Sequence, residues 1–188
     1  MPIEIVDTAG GLEQIASEWE ELWRGDPNAT PFQSPQWLLP WWKHFGSDMP
    51  HVIASSSDGA LDALAPLYIL RDDDSGESLG LFLGTGNSDY LDILGDASRL
   101  IEPITLADCQ LWDLQQLRPS SSLLNVALPD GWSDNVEDQE PCPVLPIDNA
   151  GEELQNLLST HARKKLRYFR RCLEREGEVR YENAAAES

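Results

Sequence analysis

The sequence predicts an α+β (or α/β) fold, a β-sheet packed by helices, and three observations carry that expectation. Short apolar runs bounded by Gly, Pro and Asp fill residues 50–95 in the manner of strands. Apolar residues recur at three and four positions near both ends of the chain, which is the period of a helix face. Turn residues separate nearly every run, so strands and helices are interspersed and not blocked together. With 188 residues, 41% of them apolar and seven of them Trp, the chain can build a packed core.

Ile3-Glu4-Ile5-Val6 reads as a first strand, and Gly10-Gly11 as a breaker before a helix that begins at Leu12. Leu12, Ile15, Trp19, Leu22 and Trp23 then share one helical face, Glu13, Glu18, Glu20 and Glu21 fill the others, and Asp26-Pro27-Asn28 ends the run. Ser34-Pro35 is a second helix start: the hydroxyl can cap an orphan N–H, and proline in the first turn has no donor to waste. That helix carries Trp37, Leu38, Trp41, Trp42 and Phe45 and stops at Gly46. Pro40 inside it should kink the helix or delay its start.

Residues 51–57 and 61–70 read as strands joined by a turn at Ser57-Asp58-Gly59, the second interrupted by Pro66 as an edge or a bulge. A charged hairpin loop follows over 71–78, then a strand over 79–83, a turn at Gly84-Thr85-Gly86-Asn87 and an extended segment over 88–94. Between 97 and 119 a short helix and then a strand near 111–117 are expected, with another strand over 123–128. Residues 129–141 read as an acidic loop and 142–147 as an extended arm. Leu154, Leu158, Ala162, Leu166, Phe169 and Leu173 mark one long helix over 151–176, closed by Gly177 as a C-cap and followed by a strand over 179–182.

Charge divides the chain. Thirteen Lys and Arg oppose 33 Asp and Glu, a net −20. Residues 1–150 hold 5 basic and 26 acidic side chains, net −21, whereas residues 151–188 hold 8 and 7, net +1. A boundary is therefore expected near Asn149-Ala150-Gly151. A body this acidic repels nucleic acid and anionic membrane. No run of about 18 apolar residues is present, and Met1-Pro2-Ile3-Glu4 lacks the basic and apolar regions of a signal peptide, so a cytoplasmic protein is expected. Cys109, Cys142 and Cys172 form no C-x-x-C, and His44, His51 and His161 have no metal-site spacing; buried or half-buried thiols and no metal are expected. No Ser or Cys stands in a nucleophile elbow.

Asp89, Tyr90 and Asp92 form a polar cluster suited to a substrate amine, since a carboxylate or Tyr can remove a proton through water. In a regular strand, however, Asp89 and Leu91 would face one way and Tyr90 and Asp92 the other. Phe32, Gln33, Trp37, Trp41 and Trp42 are either core or an aromatic cleft, and adjacent Trp41 and Trp42 cannot face the same way. The candidate substrate-binding residues are thus Gln33, Trp37, Asp89, Tyr90 and Asp92. Arg163, Lys164, Arg167, Arg170 and Arg171, with Arg175, cover the helix side opposite its apolar stripe. They can offset the acidic body and favour the helix dipole, bind an anionic ligand, or dock a protein. A pyrophosphate cradle is a Gly-rich turn at a helix N-terminus. Gly84-Thr85-Gly86-Asn87 lacks the basic residue, the third glycine and the helix, and reads as a plain turn.

Three segments carry a family resemblance: Trp19-Glu20-Glu21-Leu22 with Pro31-Phe32-Gln33-Ser34-Pro35-Gln36-Trp37 and Trp41-Trp42; Leu83-Gly84-Thr85-Gly86-Asn87-Ser88-Asp89-Tyr90-Leu91-Asp92; and His161-Ala162-Arg163-Lys164-Lys165-Leu166-Arg167 through Gly177. In this order they resemble the CelD-like proteins, a branch of the GNAT-related acyltransferases similar to FemAB-type peptidyltransferases in having two GNAT-like halves. The resemblance implies a GNAT-like mixed sheet with flanking helices. It implies that residues 1–150 are the acceptor-side half, and that the basic helix of 151–188 opens a second, incomplete half. The expected function is the N-terminal part of an N-acyltransferase (acetyltransferase) that moves an acyl group to a small amine without a metal. Acetyl-CoA or another acyl-CoA is expected in the full-length family but at no site in this chain. The expected partner is that second half or another protein, with no nucleic acid and no membrane insertion. The alternative is a non-catalytic, degenerate GNAT-like module that uses the basic helix to bind a protein or an anionic ligand.

Overall fold

The computed structural model describes residues 2–46, 49–72, 74–139, 141, 143 and 158–180. The chain forms two compact units, Met1–Gln139 and Glu140–Ser188.

In the first unit, strand β1 (Ile3–Val6) leads into helix α1 (Ala9–Gly25), which is capped by Thr8 and not preceded by a glycine break. The Thr8 hydroxyl accepts the Gly11 N–H at 3.0 Å, so both glycines lie in the first turn. Gly11 serves close approach, since a Cβ there would stand 2.7 Å from Val6 Cγ1, whereas Gly10 faces open space. Leu12 and Trp19 are fully buried, and Ile15, Leu22 and Trp23 pack on the same cluster. Asp26 ends the helix, and its carboxylate accepts the N–H groups of Asn28 (2.8 Å) and Gly95 (3.0 Å).

Helix α2 (Pro35–Phe45) starts where the Ser34-Pro35 pair predicts, with Ser34 Oγ accepting the Trp37 N–H at 3.3 Å. It runs through Pro40, which neither delays the start nor ends the helix. The loss of one backbone donor is tolerated because Leu38, Trp41 and Trp42, on either side of Pro40, are buried in the core. Gly46 closes the helix by donating to the Trp42 carbonyl at 2.8 Å.

Among the described residues eight strands complete the unit: β1, β2 (Met49–Pro50), β3 (Val52–Ser57), β4 (Ala60–Ala65), β5 (Leu67–Arg71), β6 (Ser78–Phe82), β7 (Leu94–Gly95) and β8 (Leu111–Trp112). They form two hydrogen-bonded sheets of four, in the orders β1-β3-β4-β7 and β2-β5-β6-β8, with the β6–β8 pair parallel and the rest antiparallel. The fold class is α+β as expected, with the strands shared between two sheets. Asp58 (φ 52°) and Gly59 (φ 82°) make the tight β3–β4 turn. Pro66 marks the crossing between sheets: without an N–H it cannot continue the ladder, so β4 ends in one sheet and β5 begins in the other.

Neighbouring strand residues serve opposite faces. Val52 and Leu64 join a cluster under α1 and α2, while Ile53 and Ala63 join a second cluster. The second is covered by a 3-10 turn (Ala97–Arg99) and helix α3 (Ile101–Leu106) through Ala97, Leu100 and Ile104.

Three further expectations in the first unit need correction. The strand near 111–117 shrinks to the two residues of β8. Residues 123–128 are not a strand: Ser121 caps a 3-10 turn (Ser122–Asn125) and the following backbone is irregular. Residues 88–93 are also irregular, with only Leu94 and Gly95 pairing in a sheet. In each case the segment is tied down by side-chain or single backbone bonds, such as Leu91 N–H to Gln116 C=O at 3.1 Å, instead of a ladder.

In the second unit, helix α4 (Thr160–Glu176) is capped by Ser159, whose Oγ accepts the Ala162 N–H at 3.2 Å, so Leu158, expected inside a helix over 151–176, lies before it. Gly177 donates to the Leu173 carbonyl at 3.2 Å with an extended backbone (φ 166°), so it ends the helix without the left-handed C-cap conformation. Val179 and Arg180 are not in a strand. Leu154, the boundary at 149–151, residues 144–147 of the extended arm, Cys142, and positions 181–182 lie outside the described residues. Among the described residues no helix is long and apolar enough to cross a membrane.

Candidate functional site

Two segments about fifty residues apart meet at the first turns of α2. Trp37 Nε1 donates to Ser88 Oγ at 3.0 Å, and one turn on Trp41 Nε1 donates to Asn87 Oδ1 at 3.2 Å. Ser88 Oγ in turn donates to the Gly84 carbonyl at 2.9 Å. Gly84 is held at φ 94°, and a Cβ there would stand 2.7 Å from Ser88 Oγ and 2.9 Å from Leu38 Cδ2, so only glycine fits. The 84–88 turn is thereby fastened to α2.

Aromatic rings complete the patch. The Phe32 ring stands edge-on to Trp37 (centroids 5.3 Å apart, 84°) and to Tyr90 (6.5 Å, 61°). The Arg118 guanidinium lies 6.0 Å from the Tyr90 centroid and also donates to the Asn28 carbonyl. Trp37 is 40% exposed, Tyr90 is half-buried and Asp89 is exposed, so this is a surface patch with an aromatic wall.

The other two candidates lie beneath it. Asp92 is buried, and its Oδ1 accepts Ser121 Oγ–H and the Ile93 N–H, both at 2.9 Å. Burial pushes its carboxyl pKa up, against the pull of those two hydrogen bonds and of Arg118. Gln33 is wholly buried: its Oε1 accepts from Thr30 N–H and Thr30 Oγ1, each at 2.7 Å, and its carbonyl accepts Trp19 Nε1–H at 3.0 Å. This is a capping box around the 3-10 turn (Pro31–Gln33). Gln33 Nε2 is buried with no hydrogen-bond partner. The structure thus brings Trp37, Tyr90 and Asp89 to the surface and puts Gln33 and Asp92 inside, where they shape the turn and the loop.

Sequence reasoning missed Ser88, Asn87, Ser121 and Arg118. The polar turn residues have no signal of their own. Arg118 had one, being one of five basic side chains in residues 1–150.

The Gly84 turn does not fit an acyl-CoA pyrophosphate. Thr85 N–H and Asn87 N–H are spent on the carbonyls of Phe82 (3.2 Å) and Gly84 (3.1 Å), and no helix follows. Elsewhere, burial lowers the His51 pKa, and its ring lies 6.2 Å from that of Trp112. Cys109 is buried with its Sγ 3.2 Å from the Leu111 carbonyl. Among the described residues no group of three His, Cys, Asp or Glu could hold a metal ion.

On α4, Lys164, Arg167, Arg170 and Arg171 are exposed and Arg163 is half-exposed. Several are tied locally: Arg170 Nε donates to Glu174 at 2.9 Å, Arg171 Nε to the Arg167 carbonyl at 3.1 Å, and Arg163 to Thr160 Oγ1 at 3.4 Å.

No known protein family and no curated protein matches the sequence. Among solved structures, the chain is similar to a ribosomal-protein-alanine N-acetyltransferase from Brucella melitensis biovar Abortus 2308. The identity is 16% over 74% of this chain and 100% of that one, with a TM-score of 0.39, too distant to assign an activity.

Proposed function

We propose that the chain is the acceptor-side part of a GNAT-related N-acyltransferase of the CelD-like kind, with residues 1–150 shaping a site for a small amine. The observation that supports this reading is the junction between the two segments that carry the resemblance in the first unit. Residues 31–42 and 83–92 are joined by the Trp37–Ser88 and Trp41–Asn87 hydrogen bonds, and their exposed side chains form one patch.

In this reading Trp37, Phe32 and Tyr90 make the apolar wall against which the acceptor lies. Exposed Asp89 faces the ammonium and takes up its proton through water. Gln33 and Asp92 act from beneath: Gln33 holds the turn that carries Phe32, and Asp92 ties the Tyr90 loop to Ser121. The acyl-CoA is held elsewhere, and no transfer step is assigned to these residues.

The test is a titration of the 188-residue chain with short primary amines, read by the indole N–H resonances, beside calorimetry with acetyl-CoA. The expected result is amine-dependent movement of the Trp37 signal, abolished in Trp37→Ala, with no acetyl-CoA binding. Saturable acetyl-CoA binding, or amines that leave Trp37 unmoved, would overturn the reading.

A further inference from the structure

Arg118 stands apart from the other arginines of the first unit. Arg24, Arg71 and Arg99 each pair with a carboxylate, those of Glu20, Asp108 and Asp62 in turn. Arg118 makes no ion pair among the described residues, although residues 1–150 hold 26 acidic side chains and only 5 basic ones. Asp92 is near enough to feel its charge, yet Asp92 Oδ1 is taken by Ser121 Oγ–H and the Ile93 N–H. A guanidinium without a carboxylate partner in so acidic a body has room for an anionic group from outside, joined by a charge-assisted hydrogen bond.

The chain on either side of Arg118 is tied to the loop of the candidate site. Leu91 N–H donates to the Gln116 carbonyl at 3.1 Å, and Ser121 Oγ–H donates to Asp92 at 2.9 Å. Between those ties the guanidinium lies 6.0 Å from the Tyr90 ring centroid, and its Nη2 donates to the Asn28 carbonyl. Asn28 is fixed in turn by its N–H bond to the Asp26 carboxylate at 2.8 Å. Arg118 Nε is buried without a partner, whereas Nη1, which bonds to no described group, reaches solvent. The planar fork is thus held in place before a ligand arrives, which lowers the ordering cost of binding.

We infer that the acceptor of the proposed site is an amino acid, with its carboxylate on Arg118 and its ammonium toward Asp89. The inference rests on the reading of residues 1–150 as the acceptor side. Asp89 precedes Tyr90 in the chain and Arg118 lies on the Tyr90 ring, so opposite charges border one aromatic surface. A zwitterion answers both charges, whereas a simple amine leaves Arg118 unmatched. One guanidinium suits a monoanion. A phosphate dianion would meet a net −21 over residues 1–150 with a single cation to hold it.

The experiment titrates the full chain with matched pairs, each amine being the amino acid without its carboxylate: methylamine and glycine, ethylamine and β-alanine, propylamine and γ-aminobutyrate. Dissociation constants are read from the Trp37 indole N–H resonance. At least one amino acid is expected to bind about tenfold tighter than its amine. That advantage shrinks as salt rises from about 20 to 300 mM, because the charges are near the surface. Arg118→Gln removes the advantage, and Arg118→Lys, which keeps the charge without the fork, retains part of it. The wild-type comparison stands whether or not a variant folds. Amines that bind as tightly as their amino acids overturn the inference and leave the acceptor site standing. So does a loss in Arg118→Gln that both members of a pair share equally, since that is a structural role. Phosphoethanolamine binding tighter than β-alanine refutes the carboxylate. If neither member of any pair moves Trp37, the acceptor site is refuted and the inference falls with it.

Discussion

Trp19 and Leu166 hold comparable places in two helices of 17 residues each, α1 and α4, both on the apolar stripe of an amphipathic segment. Trp19 is fully buried and donates its indole N–H to the Gln33 carbonyl, while Leu166 is 53% exposed. The same three-and-four code wrote both stripes. What differs is the surroundings: α1 lies on a sheet whose residues alternate toward it, and α4 has no sheet in its own unit among the described residues. An amphipathic pattern therefore reports a demand for a partner, not its presence. Burial of a large apolar side chain is worth about 1.5–3 kcal/mol, a gain α1 collects at several positions and α4 at none of its three largest.

The comparison breaks most easily at its two named residues. Trp19→Ala should destabilise the first unit by about 3–5 kcal/mol, the cost of a large core cavity, with a further loss from its hydrogen bond. Leu166→Ala should change stability by less than about 0.5 kcal/mol at concentrations where the chain is monomeric. Urea unfolding measures the first by Trp fluorescence and the second by helical circular dichroism, and a large Leu166 effect would mean that the stripe is covered. The caps come next. Ser34→Ala should cost about 1 kcal/mol of first-unit stability, because Ser34 satisfies the Trp37 N–H in a helix that packs the core. Ser159→Ala should leave that transition unmoved and lower only the helical circular dichroism of α4.

The smallest expected effects are those of pH, and they sharpen the contrast because they belong to burial in the first unit. Burial depresses the His51 pKa, so the neutral ring is favoured in the folded state. Its contribution is present above the ordinary value of 6.5 and is lost as pH falls through the lower folded value. The Asp92 carboxyl is raised by burial, so its contribution is full below 3.8 and is lost as pH rises through the folded value. Asp92→Asn keeps an oxygen for Ser121 and Ile93 and removes the buried charge. It should raise stability at pH 7 relative to pH 3, whereas His51→Gln should flatten the loss between pH 7 and pH 5. Thermal unfolding midpoints measured from pH 3 to pH 7 decide both.

Much of the fold was legible where the cause is local. Ser34-Pro35, Asp58-Gly59 and the stripe of α1 each act through bonds within a few residues of themselves, and each appears at its expected place, whereas the helical stripe of α4 starts only at Ala162, because Leu158 lies before the Ser159 cap. The misreadings share one origin. Gly10-Gly11 looked like a break because glycine usually is one, but Thr8 caps across it and Val6 needs the space. Residues 88–94 read as extended and 123–128 as a strand because their composition suits one, yet apart from Leu94 they join no ladder and are held by side-chain and single backbone bonds. The candidate site was half legible: Trp37, Asp89 and Tyr90 reach the surface, whereas Gln33 and Asp92 hold it from within.

By itself the sequence determined an acidic α+β chain, the caps and turns of its helices and hairpin, and the two amphipathic stripes, since each depends on a residue's own backbone and its neighbours. Only the tertiary structure decided that Pro66 passes the chain between sheets, that Trp37 meets Ser88, that Asp92 meets Ser121, and that one stripe is buried and the other bare. Those contacts join residues 29 and 51 positions apart or depend on which sheet a strand enters. No local hydrogen bond or period encodes such a meeting, because its free energy exists only once both surfaces are in place.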